Sequence, residues 1–550
     1  MPCAFLILRG GIKIIRVRNL YLKRIVNPWL IATTLLAIII SLPLLVVFTG
    51  IFQPGDEAWR HVTENLLNKY ITNTLLLMAG VGMVTFLVGV STAWLVTWYD
   101  FPGRNFFVWA LILPITIPGY IAGFAYAGML DFTSPLYTFF REHFGINTGQ
   151  YFIIDLLSLP GAVFIFGITL YPYVYLISRS YFQNQSSHLM EAGLTLGRSA
   201  GYLFLRVIIP AARPATAAGV SLALMEVLND YGLVKYFGVE TFTTGIFISW
   251  FSFGSLGAAI RLSAMLLFFV LLLIGLEQFQ RRKVRFSSEK LSRHSNPKKV
   301  SLTKGLMFFL LALVPFLLGF FIPFLNLVIW SIQVIQESFF ADFFTLIINS
   351  FLLALSASLL IAAISVIIAF TIRTYPIRPA KVAVRFATLG YALPGAVVAV
   401  GLLVIFLWAD RNLFSVGITG TVAALIFAYI VRFMAVGYNS IESGNQKIPV
   451  SLDNSARALG KSKLATLLKI NLPLLKHSVI AAMLLVFIDL LKELPLTLIL
   501  RPFNFDTLAI RSFEYASDER IAEASPTAVI IILVSLIPVL FLHYILKKRH

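Results

Sequence analysis

The chain has 550 residues, 59% of them hydrophobic and 13% charged, with a formal net charge of +19. A soluble domain is about half apolar and a quarter charged, so this balance excludes an ordinary soluble protein. Apolar runs of about 20 residues recur without strict alternation, which selects membrane-spanning helices and excludes an outer-membrane β-barrel.

In chain order, a basic segment comes first, with Arg9, Lys13, Arg16, Arg18, Lys23 and Arg24. The lone cysteine, Cys3, lies in it and allows no internal disulfide. The apolar run that follows starts too late and is too long for a secretory signal, so it reads as a retained helix. Six spans are predicted near 28–48, 74–98, 106–128, 157–179, 215–236 and 258–276. A linker over 278–304 follows, rich in Ser, Lys and Arg, and reads as a solvated connector. Six more spans are predicted near 305–330, 350–372, 386–408, 419–439, 477–497 and 527–545. The positive charge at the N-terminus, in the linker at Arg281, Arg282, Lys283 and Arg285, and at Lys547, Lys548 and Arg549 marks these regions as cytoplasmic. That placement accounts for the +19 charge without nucleic acid; the partner it implies is membrane lipid. Gly50–Lys69 and Arg501–Glu523 are neutral to acidic, which fits the opposite side.

The two halves repeat. Asn73 and Pro118-Gly119 match Asn349 and Pro394-Gly395 at an offset of 276. Gly197 and Pro210 match Gly460 and Pro473 at an offset of 263, with a shorter loop accounting for the difference. The fold class is therefore an all-α polytopic membrane protein of about 12 transmembrane helices. They form two parallel six-helix repeats, with halves at 1–277 and 305–550.

Glu191–Pro210 lies between spans four and five, and Asn454–Pro473 between spans ten and eleven. Each reads as a short helix, a glycine turn, a second short helix and a proline that stops or redirects it. Leu194, Leu196, Leu203 and Leu205 give the first copy an apolar side that needs a partner. A helix pair lying on the membrane explains the amphipathicity, but a docking site used twice also explains the repeated spacing. Gly460-Lys461-Ser462 is not a phosphate-binding loop, because Ser455 stands where that motif needs glycine.

The pattern Glu191-Ala192-Gly193, Gly197, Val207, Ile209, Pro210 resembles the "EAA" loop of bacterial ABC-importer permeases. The second copy is Asn454-Ser455-Ala456, Gly460, Ile470, Leu472, Pro473, with asparagine and serine replacing glutamate and alanine. The resemblance implies the type I importer permease fold in a bacterial inner membrane, with both termini cytoplasmic. It also implies two copies of a cytoplasmic ATPase that hold ATP and Mg, a periplasmic substrate-binding protein, and no cofactor on this chain. Lys492–Glu519 and Glu226–Phe247 look like segments of fused ferric-iron permeases, which implies iron(III) as cargo. Thiamine and phosphonate permeases share much of the pattern. An ion-gradient-driven secondary transporter is the rival from another class.

Glu226, Asn229 and Asp230 are spaced to share one face late in span five, and Asp489, Lys492 and Glu493 repeat the spacing in span eleven. Ionisable groups inside spans usually face a cavity, so these six are candidates for lining the path. A structural Asp489–Lys492 ion pair is the alternative. No His/Cys cluster suggests a metal site, and no catalytic residue is expected. Pro114, Pro118 and Pro394 read as helix breaks, serving either as hinges or as packing irregularities.

Overall fold

The structure is a computed structural model, and it describes residues 27–52, 54–131, 134–144, 156–282, 297–335, 340–388, 390, 393–413 and 417–547. Cys3, the basic residues before the first span, Lys283, Arg285, Lys548 and Arg549 lie outside the described residues. With no water in hydrocarbon, a spanning segment must satisfy its backbone internally, and helices dominate accordingly.

The first half comprises α1 (Pro28–Thr49), α2 (Leu67–Trp98), α3 (Arg104–Ala110), α4 (Gly119–Met129) and α5 (Leu159–Thr195), then α6 (Ile209–Asn229), α7 (Gly232–Tyr236), α8 (Phe242–Phe247) and α9 (Leu256–Arg282). The second half begins with α10 (Leu302–Phe316), α11 (Ile322–Ile335), α12 (Phe340–Thr374), α13 (Arg378–Ala387), α14 (Gly395–Asn412) and α15 (Val422–Asn445). It ends with α16 (Val450–Ala458), α17 (Leu472–Leu491), α18 (Pro495–Leu500), α19 (Leu508–Ser517) and α20 (Ile521–Lys547). Among the described residues, eleven helices are long and apolar enough to cross a membrane, or twelve if one broken pair counts as a span. Two short strands, β1 (Tyr99–Asp100) and β2 (Lys298–Lys299), pair in parallel. Of the linker, α9 takes up the residues to Arg282, and Lys298–Lys299 at the linker's far end pair with the turn after α2 and are exposed.

Spans three and nine are broken or cut short, and spans five and eleven are displaced, relative to the predicted ones. Span three is broken, with Arg104–Thr116 and Gly119–Met129 meeting at 92°. Span nine starts at Gly395 instead of 386, because α13 ends at Ala387. Pro118 and Pro394 explain both breaks: each is an N-cap in extended conformation, at φ −55°, ψ 145° and φ −56°, ψ 139°, and neither can donate a helical N–H. Spans five and eleven run earlier than expected, ending at Asn229 and Leu491. Their starts lie upstream because a π-helical turn, Phe204–Ile208 or Leu467–Asn471, leads directly into Pro210 or Pro473. Widening the helix by one residue relieves the clash a proline ring makes with the preceding turn.

Small residues let helices approach. A Cβ on Gly80 would lie 2.8 Å from Val163, and one on Gly167 would lie 2.4 Å from Val84. At Gly89 it would lie 2.6 Å from the Val174 Cβ, 2.9 Å from the Tyr171 carbonyl oxygen and 3.0 Å from the Tyr175 nitrogen. This glycine seam joins α2 to α5, as expected where van der Waals contact drives helix association.

By packing, the chain divides into two compact units. One comprises Met1–Leu45, Leu355–Tyr391 and Tyr429–Phe487, and the other Val46–Ala354, Ala392–Ala428 and Ile488–His550. In the first, Val366, Ala369, Phe370, Ile441, Leu467 and Ala482 form a core against which Trp29 packs. In the second, Phe107, Phe124, Phe166, Tyr171 and Tyr175 are fully buried.

Before α2, Asp56 caps the short helix Glu57–His61 by accepting the Trp59 N–H at 2.9 Å, and it also accepts the Ser255 hydroxyl. Burial pushes the Asp56 carboxyl up, but the bonds from Ser255 and Trp59 and the Arg261 charge outweigh it and hold it below 3.8. A lowered folded-state pKa contributes stability above the unfolded value, and that stability is lost as pH falls through the folded value. Asp56→Ala should therefore cost about 1 kcal/mol at neutral pH. The thermal shift should shrink once the pH drops below 3.8.

Candidate functional site: paired loops and a charged layer

In the first loop, α5 ends in a left-handed glycine, Gly197, at φ +76°. The Gly197 N–H donates to the Leu194 carbonyl at 3.0 Å and the Arg198 N–H to the Gly193 carbonyl at 3.2 Å. These are the two bonds of a Schellman cap. Ser199 then accepts the Tyr202 N–H and starts the helical segment that runs through Pro210 into α6. Gly193 is buried against Leu203, since a Cβ there would lie 2.4 Å from its side chain.

The second loop repeats these bonds at the same offset. Gly460 has φ +76°, its N–H donates to Arg457 at 3.1 Å, and the Lys461 N–H donates to Ala456 at 3.0 Å. Ser462 accepts the Ala465 N–H, and the helix runs through Pro473 into α17. Leu196 and Leu459 occupy equivalent positions and are each 80% exposed, and Leu205 and Leu468 are exposed beside them.

Two expectations are corrected here. Neither Pro210 nor Pro473 stops a helix, since each lies in the first turn of a long one that a π turn prepares. In the first copy, the helix before the glycine is not short, because Glu191, Ala192 and Gly193 belong to the 37-residue α5. The side chains of Glu191 and Ala192 lie outside the described residues. Asn454 and Ser455 are exposed on α16, and Ala456 is buried. Of the four leucines expected on one apolar side, Leu203 is buried and Leu194, Leu196 and Leu205 are exposed.

The six charged and polar candidates come together in one layer. Lys492 contacts Asp489 at 2.9 Å and also feels Glu226 and Glu493, while Asp230 feels Glu226 and Glu493. They do not share single helix faces as the spacing suggests. Asp230 leaves α6 at φ −73°, ψ 126°, and its carboxylate accepts the Leu233 N–H at 2.7 Å. Glu493 likewise follows α17 and accepts the Leu496 N–H at 3.0 Å. An acid at this point satisfies the free N–H groups of the next helix, which is why each span ends there. Tyr173 donates to Glu226 at 3.3 Å, and Asn229 accepts the Gly395 N–H at 2.8 Å. The layer thus joins elements of both repeats, and its carboxylates are engaged with helix ends, a tyrosine and a lysine. Among the described residues no three His, Cys, Asp or Glu side chains are grouped to hold a metal ion.

Beside this layer lies an aromatic cluster that hydropathy and charge do not reveal. Tyr231 stacks on Phe247 at 3.6 Å and meets Phe513 at 5.8 Å, and Phe513 meets Tyr120 at 6.3 Å. Phe247 and Phe513 each lie six residues after a threonine N-cap, Thr241 or Thr507. That matched spacing is the signal available in the sequence.

The profile of the family described as "binding-protein-dependent transport system inner membrane component" matches residues 85–286 and 363–550. The Fe(3+)-transport system permease protein FbpB 2 of Haemophilus influenzae is 28% identical over 525 residues, 94% of this chain and 97% of that protein. The putative ferric transport system permease protein FbpB 1 of the same organism is 24% identical over 502 residues, 85% of this chain and 76% of that protein. The sulfate transport system permease protein CysW of Escherichia coli is 28% identical over 203 residues, 36% of this chain and 66% of that protein.

Proposed function

Because the chain belongs to the family of binding-protein-dependent transport system inner membrane components, we propose that it is the path by which an ABC importer moves iron(III) inward. It is a transport subunit, and ATP is hydrolysed by separate ATPase subunits. A substrate-binding protein delivers the cargo. The observation that carries the coupling role is the pair of loops with matching caps and matching exposed leucines. Each loop docks one of two ATPase copies, with Leu196 and Leu205, or Leu459 and Leu468, as its apolar contacts. ATP and Mg reside on those subunits. The basic segments support a cytoplasmic position for both termini, and in this reading the halves 1–277 and 305–550 act as the two repeats of one permease.

Iron(III) is supported by two ferric relatives that match most of the chain, whereas the sulfate relative matches 36% of it. The layer of Glu226, Asn229, Asp230, Asp489, Lys492 and Glu493 lines the path without holding the ion. Carboxylates already engaged bind a cation weakly, as conduction requires.

The test is uptake of radiolabelled ferric iron into proteoliposomes holding this chain and its ATPase. ATP is sealed inside, and the iron-loaded binding protein is supplied outside. Uptake should need both, and unlabelled thiamine or sulfate should not compete. ATP-stimulated turnover without iron uptake would remove iron as the cargo, and uptake independent of ATP would restore the secondary-transporter rival.

A further inference from the structure

The two loops share their backbone bonds but not the way they are held. In the second repeat, Arg373, one residue before the end of α12, reaches into the loop. Its Nε donates to Asp453 at 2.6 Å. Nη1 donates to the Asn445 carbonyl at 2.7 Å, the Asn445 side-chain oxygen at 3.2 Å and the Ile448 carbonyl at 2.9 Å. Nη2 donates to the Pro449 carbonyl at 3.0 Å. The Arg373 side chain is 7% exposed and that of Asp453 13%. Asn471, in the π turn before Pro473, donates to the other oxygen of Asp453 at 3.1 Å. One guanidinium therefore ties together the end of α12, the end of α15 and the start of α16, and Asp453 extends the tie to the turn that enters α17.

The matching positions of the first repeat carry neither an arginine nor an acid. At the matching positions stand Thr97 for Arg373, Phe182 for Asn445 and Met190 for Asp453. Thr97 donates to its own helix, to Ala93 at 2.7 Å. There the hold is aromatic: Trp94 on α2 meets Phe204 at 4.5 Å and Phe182 at 5.7 Å.

The two holding helices do the same thing at their other ends. Thr74 on α2 accepts the Phe242 N–H at the start of α8, and Ser350 on α12 accepts the Leu508 N–H at the start of α19. Each is thus one continuous helix bonded to an inner short helix at one end and to a loop at the other.

We propose that Arg373 is the positioning residue that links the second coupling loop to α12, so that ATPase motion at α16 is carried into the membrane helices. The inference rests on the docking role of the loops. It also assigns the acid of the second copy: Asp453, one residue before Asn454, faces inward to Arg373, while Asn454 is exposed. A lysine cannot replace this fork, because it is a point charge without the planar donors that reach five acceptors on four residues.

The experiment uses the full complex in proteoliposomes with ferric-loaded binding protein. It measures iron uptake, ATP hydrolysis and retention of the ATPase. Arg373→Lys keeps a cation opposite Asp453 and should insert and retain the ATPase. It should raise the ATP used per iron by about tenfold, given the cost of disrupting a buried, hydrogen-bonded charge pair. Arg373→Met should do so at least as strongly, and adding Asp453→Asn should recover protein yield but not coupling. Thr97→Val should change neither. An unchanged ATP-to-iron ratio in Arg373→Lys, with the ATPase retained, would overturn the inference alone. Leu459→Asp should release the ATPase; normal retention and uptake in that variant would overturn the docking role and this inference with it.

Discussion

Valine at both Gly197 and Gly460 is expected to cut iron uptake at least about tenfold while the chain still inserts, whereas asparagine at both should keep most of it. Both glycines have φ +76°, and neither has an atom within 4 Å of where a Cβ would sit. The penalty is therefore strain rather than collision. A side chain in the left-handed region costs on the order of 1–3 kcal/mol, with β-branched residues worst and asparagine best tolerated. About 1.4 kcal/mol is a factor of ten. Escaping the strain breaks the Schellman bonds from Arg198 to Gly193 and from Lys461 to Ala456. The exposed Leu196 and Leu459 would then leave their docking positions. Uptake and ATP hydrolysis measured together on both double variants check this.

Leucine at Gly89 is expected to remove the folded protein altogether. Its Cβ alone would lie 2.9 Å from a carbonyl oxygen and 3.0 Å from an amide nitrogen of α5, and backbone cannot turn aside as a side chain can. The α2–α5 pair would have to separate, at about 3 kcal/mol or more. Gly219 meets the same stretch of α5, since its Cβ would lie 2.8 Å from the Val174 Cα. Movement of α5 away from α2 is thus opposed by α6. Gly275→Leu is the control, because that glycine also lies within a helix and has open space around it. Size-exclusion profiles and thermal melting in detergent should show the Gly89 variant aggregated and the Gly275 variant like the parent.

The spans, the repeat and the two loops are legible in the sequence because each leaves a one-dimensional trace. Hydrocarbon thickness sets the length of an apolar run, and a glycine and a proline 13 residues apart mark each loop. The breaks at Pro118 and Pro394 are only half legible. Proline announces an irregularity, but whether a helix kinks or turns by 92° depends on what satisfies the freed backbone groups. Asp230 and Glu493 resemble residues on a helical face, yet the N-terminus of the following short helix draws each out of its span. Arg373 and Asp453 are 80 positions apart and leave no trace in spacing, because the bond between them depends on how the end of α12 meets the start of α16. The aromatic contacts of Tyr231 are hidden for the same reason.

The central claim is that the two repeated loops dock ATPase subunits. The most direct measurement is site-directed cross-linking from Leu196→Cys and, separately, Leu459→Cys, in a chain whose single native cysteine, Cys3, is replaced by serine. The purified complex would be treated with a short thiol-to-amine reagent, with and without ATP. The account predicts that each position joins to the ATPase subunit, and that the yields change when ATP binds. Absence of ATPase adducts at both positions, in a complex that still retains its ATPase, would contradict it.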